Sequence, residues 1–245
     1  MHDPEDESDR FTIDGQLFDS RLLLDIGHYR DPQRALVAAR ASGAEIISVS
    51  VRRNNLGQRS KEANLLDTLS PDEFMILPAS SGCYTAEDAI ECCRQARDLL
   101  QGQSLVQLEV LGDEQTLYPD ISATLSAAQV LINEGFRLIV YCNDDPVIAR
   151  RLEAMGAAAL MPMGAPPDSR LTQYNPGNLR RLIDQACIPV LLGGISSASD
   201  AAQAMELGCD AVVINRAIAH AQEPVLMAQA MRFAVQAGRL GYLAD

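Results

Sequence analysis

The stretch PVLLGGISSASDAAQAMELGCDAVVINRA, residues 189–217, decides the fold. Pro189–Leu192 is a short apolar run broken by Gly193-Gly194. Ser199–Leu207 then places apolar residues at helical spacing and stops at Gly208, and Ala211–Asn215 is a second apolar run. Nearly continuous apolar runs are the mark of parallel strands buried on both faces. A helix joining two of them is one strand–helix–strand unit.

The same grammar extends through the chain. Strand-like runs precede this unit at Leu22–Ile26, Glu45–Val51, Phe74–Pro78, Leu105–Val110, Arg137–Tyr141 and Ala158–Met161. Helical patterns follow at Asp31–Ser42, Thr85–Leu100, Ile121–Asn133, Pro146–Met155 and Pro176–Ala186, and Pro224–Ala237 closes the series. Proline near the start and glycine just past the end recur, as helix boundaries require. Arg52–Asp72 is irregular, with a short helix expected around Lys61–Leu69. Ahead of these lies Phe11–Phe18, whose Asp14-Gly15 flanked by alternating apolar residues predicts a hairpin.

Eight strands each followed by a helix predict an α/β protein, a (β/α)8 TIM barrel with an N-terminal β-hairpin. The length of 245 residues matches the roughly 250 that this fold needs. A doubly wound open sheet is the rival, and no glycine-rich dinucleotide fingerprint follows the first strand to support it. Residues 1–10 read as an acidic solvated tail, the opposite of a signal peptide, and 11–245 as a single barrel domain.

With 33 acidic against 20 basic residues, the net charge of −13 excludes non-specific attachment to nucleic acid or anionic membrane. No apolar run approaches the roughly 20 residues of a membrane span. The six cysteines, at 83, 92, 93, 142, 187 and 209, show no CxxC pair and are expected to be buried and reduced, in a cytoplasmic protein. The three histidines have no metal-ligand spacing, so no metal and no cofactor is expected. Nineteen of the basic residues are Arg, and Lys61 is the single lysine.

On this fold, chemistry gathers at the C-terminal ends of the strands. Gly193-Gly194 and Asn215-Arg216-Ala217 there are small and rich in accessible backbone N–H groups, the features of a phosphate site. Gln107 and Glu109 lie two apart on an apolar strand and share its inward face. A carboxylate there is either a general acid/base or is paired to an arginine, with Arg52 and Arg53 the candidates. His28 stands in the first loop at a height suited to acid/base work.

These residues fall within motifs that resemble one family. Phe18-Asp19-Ser20-Arg21-Leu22-Leu23 with Gly27-His28-Tyr29, Val51-Arg52-Arg53, Leu108-Glu109-Val110, Met161-Pro162-Met163-Gly164-Ala165-Pro166, and Asn215-Arg216-Ala217-Ile218-Ala219 resemble, in order, the bacterial thiazole synthases of thiamine biosynthesis. The resemblance runs from about residue 12 to about 240. It implies a (β/α)8 fold and a cytoplasmic homo-oligomer. It also implies a transferase reaction joining 1-deoxy-D-xylulose 5-phosphate, a dehydroglycine imine and sulfur from a ubiquitin-like carrier thiocarboxylate. By position Gly193, Gly194, Ile195, Asn215 and Arg216 line the sugar phosphate, with Gly164 and Ala165 near the substrate.

The resemblance breaks on the fourth barrel strand. The family pattern has a lysine, the Schiff-base nucleophile, two residues before the glutamate; here that position is Gln107, and an amide cannot form an imine. The acid expected before the Gly-Ile pair of the seventh strand loop is also missing, because Leu192 runs straight into Gly193-Gly194-Ile195. His28 stands where the family usually has a lysine. Lys61, in the irregular segment, is poorly placed to substitute. The residues therefore predict altered, non-imine chemistry with Glu109 as acid/base. The alternative is a non-catalytic protein that binds a phosphorylated metabolite or a sulfur-carrier protein.

Overall fold

The computed structural model describes residues 9–29, 31–59, 61–164 and 175–245. The hairpin forms from β1 (Phe11–Ile13) and β2 (Gln16–Phe18), antiparallel, with Phe11 opposite Phe18. At its turn both Asp14 and Gly15 have positive φ, 48° and 77°, as a twist-compatible two-residue turn demands.

Eight parallel strands follow: β3 (Leu22–Asp25), β4 (Ile46–Ser50), β5 (Met75–Ala79), β6 (Leu105–Leu108), β7 (Arg137–Cys142), β8 (Ala159–Pro162), β9 (Leu191–Leu192) and β10 (Ala211–Ile214). They pair in the order β8-β7-β6-β5-β4-β3-β10-β9. Parallel bridges Leu160–Val190 and Met163–Gly193 join the two edges and close the ring. Each of the eight predicted strands is present, most trimmed by a residue or two.

The helices are α1 (Pro32–Ser42), α2 (Ala86–Leu99), α3 (Ile121–Asn133), α4 (Pro146–Met155), α5 (Pro176–Gln185), α6 (Ala198–Glu206), α7 (Arg216–Ala219) and α8 (Pro224–Ala244). α1 to α6 are capped by a side chain at the N-terminus; Thr85, as the sequence suggests, accepts from the Asp88 N–H. Two differences stand out. α8 runs on to Ala244, because Gly238 and Gly241 sit where the helix passes α6 rather than at its end. The short helix expected at Lys61–Leu69 is a single 3-10 turn, Leu65–Asp67.

Period-two alternation divides the strands between two cores. Leu22, Leu24, Ile47, Val49, Val106 and Leu108 face outward and pack under the helices. Leu23, Ile46, Leu77, Leu105, Ile139, Met161, Leu191 and Val213 face inward and meet Phe11, Ile13 and Phe18 of the hairpin. The hairpin thus stoppers the N-terminal end of the barrel with an apolar plug. One step further along the same inward face, Leu23 gives way to Asp25, Ile46 to Ser48, and Leu105 to Gln107. The barrel is apolar at its base and polar at its mouth.

Asp9, read as tail, is held against the fold: Arg21 and Arg239 both bind its carboxylate, and Arg21 also donates to the Asp210 carbonyl at 2.7 Å. Among the cysteines, Cys83, Cys92, Cys93, Cys142 and Cys209 are buried, as expected. Cys187 is the exception. It follows α5 on the surface, where its backbone N–H bonds Glu153 and its side chain is exposed.

Candidate functional site

A cavity of about 750 Å³ opens at the C-terminal ends of the strands, within the range of small-ligand sites. Its floor is the polar layer just described. Gln107 is buried, with 1% of its surface exposed. Ser48 Oγ donates to Gln107 Oε1 at 3.0 Å, and Gln107 Nε2 donates to Glu109 Oε1 at 2.7 Å. Both ends of the amide are therefore fixed, and its N–H points at the carboxylate. The inward pairing of Gln107 and Glu109 predicted from their spacing is what the structure shows.

Glu109 is reachable from the mouth but walled by protein elsewhere. Burial, and next the negative charge of Asp25, push its carboxyl up to about 7, against the opposing pull of Ser81, Gln107 and Arg53. A carboxyl poised near neutrality can both give and take a proton at working pH.

Asp25 is the residue that sequence reading missed. It ends β3, pairs across the sheet with Ser48, and lines the cavity. Its Oδ1 accepts from the Gly27 N–H at 2.7 Å, and its Oδ2 from Asn215 Nδ2 at 2.6 Å. Burial raises its pKa, opposed by those bonds and by Arg53 and Arg216. The signal was present: an acid at the end of an apolar strand, the criterion that singled out Glu109.

The rim is made by the loops after β9 and β10. Gly193, Gly194, Ile195, Ser196 and Ser197 line it on one side, Asn215, Arg216 and Ala217 on the other. Gly194 takes φ +68°, a left-handed conformation that turns the chain sharply toward α6. Arg53 and Arg216 bring two positive charges to a protein of strong negative net charge.

The other predicted residues sort differently. Gly164 lies behind the wall. Its N–H donates to the Gly193 carbonyl at 2.8 Å, and a Cβ there would sit 2.4 Å from that oxygen, so glycine is required by close packing. Ala165 lies outside the described residues. Arg52 and Arg53 separate: Arg53 enters the cavity, while Arg52 reaches the Gly82 carbonyl and, at 3.5 Å, the Cys83 sulfur. His28 lines the cavity with His220, their rings edge to face, and its Nε2 lies 3.3 Å from Arg53 Nη1. With arginine the obligatory donor, Nε2 is the acceptor. Lys61 is exposed and does not line the cavity. Among the described residues, no three metal-ligating side chains come together.

The model of the family described as thiazole biosynthesis protein ThiG matches residues 12–245. The chain belongs to the thiazole synthase family. It is 54% identical over 241 residues to the thiazole synthase of Alkalilimnicola ehrlichii, covering 98% of this chain and 92% of that one. It is equally identical over 234 residues to that of Nitrosomonas europaea, covering 95% and 87%. Among solved structures, a chain of the Amycolatopsis orientalis BexX/CysO complex superimposes with a TM-score of 0.84 at 33% identity, covering 97% of both chains. The thiamine phosphate pyrophosphorylase of Pyrococcus furiosus, at 15% identity and a TM-score of 0.59 over 89% of this chain and 95% of that one, shares the fold. Within the thiazole synthase frame, the fourth barrel strand carries Gln107 bonded to Glu109 rather than the lysine that the family resemblance implies.

Proposed function

We propose that this protein forms the thiazole phosphate of thiamine biosynthesis from 1-deoxy-D-xylulose 5-phosphate, a dehydroglycine imine and a carrier-bound thiocarboxylate, without an enzyme–substrate imine. The Gln107–Glu109 pair carries the reading. The position assigned to the nucleophile holds an amide whose nitrogen is committed to Glu109 at 2.7 Å, and whose lone pair is delocalised. What remains on the floor is carboxyl chemistry. Glu109, near neutral pKa, serves as general acid/base at the substrate ketone.

The rim suits the phosphate. Gly193, Gly194, Ile195, Asn215 and Arg216 form its cradle, and Arg53 adds charge from the loop after β4. Gly164 supports that cradle from behind. The protein partner is a ubiquitin-like sulfur carrier; the neighbour solved as BexX with CysO supports a two-protein assembly on this fold. Self-association is supported by an apolar stripe on α8, where Leu226, Phe233 and Leu240 recur every seven residues at 65%, 65% and 68% exposure. No helix among the described residues is long and apolar enough to cross a membrane, which is compatible with a cytoplasmic enzyme.

Reconstitution with the ketose phosphate, a glycine-imine source and a thiocarboxylated carrier tests the reading. Thiazole phosphate detected by mass spectrometry supports it. Tight ketose-phosphate binding without product removes the enzymatic assignment.

A further inference from the structure

The floor holds a second acid beside Glu109, Asp25 at the end of β3. Asp25 and Glu109 line the same cavity, and negative charge on Asp25 disfavours ionisation of Glu109. Their hydrogen bonds divide the roles. Asp25 accepts from two N–H donors, Gly27 and Asn215, which hold it as a carboxylate.

Asn215 adds an independent observation. It occupies the N-cap of α7, where an asparagine ordinarily bonds the first turn of its helix. Here it makes no such bond and turns its amide nitrogen to Asp25 instead. Its Oδ1 is left buried without a partner. An orphaned acceptor beside a carboxylate at a cavity wall is a costly arrangement unless a ligand or a proton completes it.

We propose that Asp25 is a second catalytic carboxylate, paired with Glu109 across the barrel floor, and that the two move the ketone of a phosphorylated ketose by proton transfer. Asp25 removes the proton from the hydroxyl-bearing carbon next to the ketone. The C–H electron pair becomes a C=C bond, the carbonyl π pair moves onto oxygen, and that oxygen takes the proton of Glu109. Glu109, now a carboxylate, removes the proton of the adjacent hydroxyl, and protonated Asp25 returns its proton to the former carbonyl carbon. The ketone has shifted by one carbon, both carboxyls are restored, and no oxidant or amine is consumed. Asn215 follows the proton: it donates Nδ2–H to ionised Asp25, and an amide flip presents Oδ1 once Asp25 is protonated.

This rests on the ketose-phosphate reading above, and the test separates the two. The protein is incubated with 1-deoxy-D-xylulose 5-phosphate alone in D2O; deuterium at the carbon beside the ketone is followed by NMR, and binding by calorimetry. The wild type is expected to exchange. Asp25→Asn is expected to exchange at least about 100-fold more slowly, with binding within about threefold and a cooperative thermal unfolding transition that shows it folded. Because the Asp25 charge raises the Glu109 pKa, the residual rate of Asp25→Asn should have its Glu109 limb at lower pH than wild type. The other charged or titratable groups facing the pair or the cavity, Arg53, Arg216, His28, His220, Tyr29 and Tyr141, are the same in both proteins. Asp25→Glu, which keeps the charge but displaces it by one methylene, guards against misfolding of the first variant and should be about 10–100-fold slower. Binding by the wild type without exchange, or exchange at the wild-type rate in a folded Asp25 variant, overturns the proposal. Failure of the wild type to bind overturns it together with the ketose-phosphate reading.

Discussion

At the rim of the cavity, Gly193, Gly194, Ile195, Asn215 and Arg216 come from two loops close in sequence, and backbone and small side chains shape them. At the floor, Asp25, Ser48, Gln107 and Glu109 come from three strands far apart in sequence, and their side chains make the surface. The proposed phosphate rim is a general type of solution, since backbone N–H groups at tight turns suit any phosphate. The floor is individual, because replacing the residue two places before Glu109 replaces the chemistry. The difference teaches that family membership speaks for the binding half of this site more directly than for the reacting half.

The sharpest way to break that comparison is at the floor. Glu109→Gln should lower kcat about 10²–10⁴-fold with substrate affinity kept, measured by steady-state kinetics. It should also change stability with a definite sign. Because the folded pKa of Glu109 is raised to about 7 from the 4.5 of a free glutamate, its native state is favoured at low pH, and that advantage is lost as pH rises through 7. Glu109→Gln should therefore be the more stable protein above pH 7, by up to roughly 3 kcal/mol, and the gap should close toward pH 4.5. Equal stability at pH 8 and pH 4.5 contradicts the buried-carboxylate account.

Support for the rim is next in size. Gly164→Ala places a Cβ 2.4 Å from the Gly193 carbonyl oxygen, a clash with backbone that no rotamer relieves. It should cost about 2–3 kcal/mol, a fall of roughly 5–10 °C in Tm by calorimetry. Smallest is the rim itself. Arg216→Ala should weaken ketose-phosphate binding about tenfold, with kcat changed little, because it removes one charge from a cradle built largely of backbone. A large kcat loss instead would place Arg216 with the reacting groups and blur the division between floor and rim.

The fold was legible because parallel strands buried on both faces leave a signature in apolar runs, and all eight appear where Leu22–Ile26 through Ala211–Asn215 place them. The inward face shared by Gln107 and Glu109 followed from the period of two. Asp25 carries the same signal as Glu109, an acid at the end of an apolar run, but a reading that starts the first loop at Gly27 passes it by, and its partners are not visible in the sequence. Its partner Asn215 follows β10, and only the pairing of β3 with β10, the first and last barrel strands, brings the two within 2.6 Å. The separation of Arg52 from Arg53 was likewise invisible, since adjacent residues diverge by local turn geometry that the sequence does not spell out. α8 ran past its expected end because glycines that read as a stop lie against α6, where close helix approach needs them.

The central claim is that this site works on a ketone without a lysine. Intact-mass spectrometry after borohydride reduction in the presence of 1-deoxy-D-xylulose 5-phosphate tests it directly, with Gln107→Lys as the positive control. The account predicts an unchanged mass for the wild type under conditions that yield thiazole phosphate, and a reduced ketose adduct on Gln107→Lys. A stoichiometric adduct on the wild type, mapping to Lys61, would contradict it.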